Sequence, residues 1–147
     1  MFGNKKSSAL QKEAVAQLQR ELDGSIIMAS LKHNAPFDLS WLKMKITVKI
    51  AKPLLKSGGS KIRWYFTLGK NDLKNADVFV FFCLDRKKKI DSTFMVPTEF
   101  VSRTSVTITA NENNGRYQYF RTRGDMATWL LKVMSAVPHL KTLAGRK

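Results

Sequence analysis

The spacing of hydrophobic positions along this chain changes several times, and each change predicts a new element. Over residues 8–23, Leu10, Ala14, Val15, Leu18 and Leu22 recur at helical spacing and form one apolar stripe. Ser7 or Ser8 can cap that helix, and Gly24 stops it. Residues 25–29 read as a first strand, residues 32–36 as a loop, and residues 37–39 as the start of the next strand. A very short hairpin leads into residues 45–51, where the period is two. Ile46, Val48 and Ile50 point to one face, and Thr47, Lys49 and Ala51 to the other.

Pro53 and the Ser57-Gly58-Gly59-Ser60 run break that strand. Residues 61–68 alternate weakly and are rich in β-formers. Residues 77–84 are apolar on both faces, the pattern of a central strand covered on each side. After a basic turn, residues 92–96 are expected to be a strand and residues 97–101 a short helix. Residues 105–110 and 116–121 read as two strands around Asn113-Asn114-Gly115. A last helix over residues 125–137 buries Met126, Trp129, Leu130, Val133 and Met134, and residues 144–147 are expected to fray. Helix, several strands, then helix describes an α/β fold with a central mixed sheet flanked by helices. Residues 1–147 form a single domain, with no internal repeat, low-complexity segment or linker.

Charge then narrows the partners. Lysine and arginine number 26 against 11 aspartates and glutamates, a net charge of +15. An excess spread over every segment suits a phosphate backbone, through counterion release and electrostatic steering. The candidate nucleic-acid contacts are Lys43, Lys45, Lys52, Lys56, Lys61, Arg63, Arg86, Lys87, Lys88, Lys89, Arg116, Arg121 and Arg123. An anionic membrane surface is the weaker partner, because no long basic amphipathic helix is present. Aromatic residues beside these cations (Arg63-Trp64-Tyr65-Phe66 and Arg116-Tyr117-Gln118-Tyr119-Phe120-Arg121) are expected to be mostly core, with alternate positions exposed.

No run approaches the ~20 apolar residues of a membrane span, and the start lacks the apolar segment of a secretory signal. Cys83 is the single cysteine, so no intramolecular disulfide forms, which suits an intracellular protein, cytoplasmic or nucleoid-associated. Cys83 lies in the most apolar segment and reads as a buried, inert thiol. His33 reads as a polar loop residue, and His139 has no partner that suggests chemistry. The sequence holds no Cys/His spacing for zinc, no phosphate-cradling glycine loop and no nucleophile elbow.

A helix carrying a glutamate, a glycine, a strand, the loop Asn34-Ala35-Pro36-Phe37-Asp38-Leu39, a strand ending Ile-x-Val-Lys, and then Ala76-Asp77-Val78-Phe79-Val80-Phe81 follow one another in a telling order. With Phe94-Met95-Val96-Pro97 after them, this order resembles the PD-(D/E)XK nuclease superfamily, and its small homing-endonuclease and junction-resolvase-like members most in style. The resemblance spans about residues 10–100 and implies a restriction-endonuclease-like sandwich. It implies Asp38 as the metal-binding aspartate, Lys49 as the motif lysine and Glu13 as a helix carboxylate, with Glu21 its rival by wheel position. Thr47 stands where the family carries Glu, Asp or Gln, and the stretch from Asp38 to Thr47 is a few residues shorter than expected.

The resemblance thus implies an endonuclease acting on duplex or branched DNA, with Mg²⁺ or Mn²⁺ as cofactor and a homodimer for cutting both strands. The alternatives are a nuclease-fold DNA-binding protein that has lost cleavage at Thr47, and an RNA-binding accessory module that needs no metal.

Overall fold

The computed structural model describes residues 4–22, 39–55, 62–101, 104–109 and 115–144. The expected strand at 25–29, together with His33 and Asp38, lies outside the described residues. Helix α1 (Asn4–Glu21) precedes the strands β1 (Leu39–Trp41), β2 (Met44–Ala51), β3 (Leu54–Leu55) and β4 (Ile62–Thr67). A short helix α2 (Lys70–Asn75) leads to β5 (Val78–Leu84), β6 (Ile90–Pro97) and β7 (Ser105–Thr109), and α3 (Met126–Ala144) closes the order.

The strands form two sheets, a four-stranded one in the order β1-β2-β5-β6 and a three-stranded one in the order β3-β4-β7. The first is mixed: β1 and β2 are antiparallel, β2 and β5 parallel, β5 and β6 antiparallel. Every residue of β5 is buried, because both of its faces are covered. Val78, Val80, Phe82 and Leu84 pack with Ala14, Val15, Leu18 and Leu22 of α1 and Leu130 of α3. Phe79, Phe81 and Cys83 pack with Trp64 and Phe66 of β4 and Val106 and Ile108 of β7. The expected central strand is thus present, with helices on one side and a second sheet on the other. Trp64 Nε1 ties the two sheets together by donating to the carbonyl of Leu84 at 2.7 Å.

Four expectations are corrected. Ser7 and Ser8 do not cap α1 but lie inside it, since the helix begins at Asn4. Residues 116–121 do not form a strand: Gly115–Phe120 winds as a 3₁₀ segment, and among the described residues only Arg121 makes a bridge, to Phe94. The apolar residues there are not strictly alternating, and Phe120 is placed in the core by the tighter winding. The last helix does not stop at Val137 but continues through Pro138 to Ala144. Its start is fixed by Asp125, whose Oδ2 accepts from Thr128 N and Thr128 Oγ1. These bonds, the backbone one foremost, hold the Asp125 carboxyl below its usual range. Finally, α2 was not expected, since six residues (KNDLKN) are too short to show a period.

Among aromatic residues flanked by cations, Trp64, Phe66 and Phe120 are buried, whereas Tyr65 and Tyr119 are each 51% exposed. Alternation on β4 therefore sorts core from surface as expected. Cys83 is fully buried, and burial pushes its thiol up to about 12, which makes it inert. No helix among the described residues is long and apolar enough to cross a membrane.

Candidate functional site around Lys49

The β1–β2 hairpin turns in two residues, Leu42 and Lys43, both with positive φ (51° and 67°). Left-handed conformation at both positions is the geometry that matches the twist of a tight hairpin. It fixes the register Trp41↔Met44, Ser40↔Lys45 and Leu39↔Ile46, and so fixes which side chains of β2 face which layer. Ile46, Val48 and Ile50 pack with the helices. Thr47 and Lys49 point to the opposite face, beside Phe79 and Phe81 of β5 in the parallel register.

Lys49 does not end in open solvent. Its Nζ lies 2.8 Å from Asp72 Oδ2 on α2, and the two side chains are 27% and 25% exposed. Asp72 Oδ2 also accepts from Gly69 N at 2.8 Å, closing the first turn of α2. Further along, Asp77 Oδ2 accepts from Lys45 N at 2.8 Å, and Asp77 N donates to Lys45 O at 2.8 Å. The segment from Asp72 to Asp77 is therefore fastened alongside the stretch of β2 from Lys49 back to Lys45. Thr47 lies within that stretch, 4% exposed, and its Oγ1 has no hydrogen-bond partner among the described residues.

Glu13 is exposed on α1, which packs on the Ile46 and Val48 face of the sheet. It lines a hollow with Gln17, Ile50, Lys88 and Lys89, so the structure does not bring it to Lys49. Glu21 is also exposed on α1. Asp38, Lys56 and Lys61 lie outside the described residues, as does the side chain of Arg116. Lys43, Lys45, Lys52, Arg63, Arg86, Lys87, Lys88, Lys89, Arg121 and Arg123 are all exposed. The four from Arg86 to Lys89 form the tip of the β5–β6 hairpin. Among the described residues no three His, Cys, Asp or Glu side chains cluster as a metal site.

Asp72 is the residue that sequence reading missed. A signal was nonetheless available: residues 39–71 contain no acid, so Asp72 is the first carboxylate after Asp38.

A mixed sheet carrying helices on one face and a second sheet on the other is a layered α/β fold. The chain matches the solved structure of a bacterial homing endonuclease, I-Ssp6803I, over 92% of this chain and 94% of that one, with a TM-score of 0.52 and 12% identity. That likeness is one of fold. No family model and no curated protein matches the sequence.

Proposed function

We propose that this chain binds DNA and acts as an endonuclease of the PD-(D/E)XK type, with Lys49 as the cation beside the phosphate that is cut. The observation that supports it most is the placement of Lys49. The strand that carries it projects a half-buried ammonium against a carboxylate, 2.8 Å away, in a chain whose fold is that of a homing endonuclease over nearly its full length. The net charge of +15 supplies attraction to a phosphodiester backbone.

Asp38 is the proposed holder of a divalent cation, as Thr47 is neutral and Glu13 sits across the sheet. The donor chemistry fits Mg²⁺ or Mn²⁺, hard ions that take oxygen ligands. Thr47 Oγ1, buried and without a partner among the described residues, leaves both of its lone pairs uncommitted on the Lys49 face. Such an ion, when bound, polarises the phosphoryl oxygen and lowers the pKa of a water. Lys49 then orients the attacking water or stabilises charge gathering on phosphorus, and the half-buried setting strengthens both effects. Two copies related by two-fold symmetry would present one site to each strand of a duplex.

The test is nicking of supercoiled plasmid with Mg²⁺ or Mn²⁺, run with the parent, Asp38→Ala and Lys49→Ala. Metal-dependent nicking by the parent alone is the expected result. A parent that binds duplex DNA but never nicks it would establish the second reading, a DNA-binding protein on a nuclease scaffold. The uncharged Thr47 favours that reading. Preference for RNA over duplex DNA in competition would point to an accessory RNA-binding role instead.

A further inference from the structure

Two of the five large hydrophobic side chains exposed among the described residues meet in one place. Leu54 is 56% and Tyr65 51% exposed, and both line a hollow of about 360 Å³ over Leu10, Ile50, Ala51 and Leu84. A single exposed apolar residue is ordinary, whereas two on one concave patch mark a surface that something covers. This hollow adjoins a second of about 350 Å³, with which it shares Leu10, Ile50 and Leu84. The two form a groove where the parallel strands β2 and β5 end side by side, Ala51 opposite Cys83. The crevice beyond the carboxyl ends of parallel strands is where an open α/β sheet leaves room for a ligand.

Charge selects the occupant. Lys52 lines the first hollow, and Lys88 and Lys89 line the second, against one acid, Glu13. Arg63 adds a cation beside Tyr65: both are exposed on the same face of β4, and Arg63 stands opposite Leu54 in the β3–β4 register. Cations along a groove meet the phosphates of a nucleic-acid strand, and an aromatic ring on its wall gives a base a surface to stack on. The bases of a duplex are already stacked on one another, so an unpaired strand is the form that covers Tyr65 and Leu54.

We infer that this groove holds a single strand of DNA, with a base stacked on Tyr65 and phosphates on Lys52, Lys88 and Lys89; the inference rests on the DNA-binding reading above and not on cleavage. Ile50, shared by both hollows, follows Lys49 directly on β2. The unpaired segment therefore lies at the end of the same β-strand that carries the proposed cutting cation, and the substrate this specifies is DNA with unpaired nucleotides next to the duplex.

Fluorescence anisotropy of a short labelled oligothymidine, with a labelled duplex beside it, tests the groove. Tyr65→Ala should weaken binding of the single strand by at least about fivefold, the lower end of what one base–ring stack contributes. Tyr65→Phe keeps the ring and should stay within about twofold of the parent, and neither change should move duplex binding further than that. Lys52→Gln should flatten the dependence of log affinity on log salt by about 0.7 on the single strand. Photocrosslinking of a 5-iododeoxyuridine strand to the unaltered protein needs no variant to fold, and its adduct should map to Tyr65.

An adduct confined to residues outside the groove overturns the inference. So does a Tyr65→Ala variant that binds the single strand as the parent does, or that loses single strand and duplex equally. A parent that prefers single-stranded RNA to DNA of matching sequence gives the groove to RNA and overturns it as well. The two readings fail differently: a parent that binds duplex but no single strand refutes the groove and keeps the DNA-binding reading, while a parent that binds neither refutes both.

Discussion

Replacing Arg86, Lys87, Lys88 and Lys89 together by glutamine tests whether the β5–β6 hairpin is a phosphate-contacting element. The turn does not depend on these side chains. Asp85 Oδ1 accepts from Lys87 N and Lys89 N at 2.8 and 3.0 Å, and Asp85 N donates to Lys89 O at 2.7 Å. Lys88 has a positive φ of 65°, which glutamine adopts no worse than lysine. The fold should therefore survive with four charges removed.

Each phosphate contact adds about 0.9 to the slope of log affinity against log salt on duplex DNA. Four lost contacts would flatten that slope by about 3.6. Between roughly 50 and 200 mM salt, a fourfold change, each contact is worth about 3.5-fold in affinity and all four about 150-fold. Fluorescence anisotropy of a labelled duplex across that salt range measures both slopes. A variant whose slope matches that of the parent to within about one unit would show that the hairpin points away from DNA, whatever the affinity at one salt concentration.

Three further outcomes are expected. Phe82→Ala removes a fully buried ring between the central sheet and the helices and should cost about 3–5 kcal/mol in urea denaturation; a loss below about 1 kcal/mol would contradict a covered central strand. Leu42-Lys43→Asn-Gly relieves two left-handed non-glycine residues and should stabilise the fold by about 1–2 kcal/mol in the same assay, whereas destabilisation would mean the turn is held by contacts of Leu42 or Lys43. Cys83, raised from 9.0 to about 12 by burial, keeps its proton in the folded state after the unfolded chain has lost it. Its contribution to stability is therefore intact below about pH 9 and falls as pH climbs towards 12; Cys83→Ala should flatten that alkaline decline in pH-dependent melts, and an unchanged profile would assign it to other groups.

The layers of this fold were largely legible in the sequence, because they follow from local periods. Leu10 to Leu22 declare a helix and Val78 to Leu84 a strand covered twice, whereas Ile46-Thr47-Val48-Lys49 declares a period of two but not that Thr47 and Ala51, on the second face, are buried as well. The residues around Tyr117 and Phe120 misled for the converse reason. Arg116-Tyr117-Gln118-Tyr119 alternates as a strand would until Phe120 breaks the pattern, and a strand needs a neighbour to pair with. Among the described residues that segment has one bridge, at Arg121, and it winds into a 3₁₀ segment instead.

The sequence by itself determined the charge, the inert Cys83, the alternation that puts Thr47 and Lys49 on one face, and the missing acid at position 47. These depend on composition and on a two-residue period that no distant contact alters. Only the tertiary structure decided which carboxylates share a space with Lys49. Glu13, which the order of elements nominated, is carried by α1 to the other side of the sheet, and Asp72, 23 positions after Lys49 in the chain, is delivered to 2.8 Å from it by the crossover into β5. An ion pair depends on distance in space, and distance along the chain predicts that only within a single element.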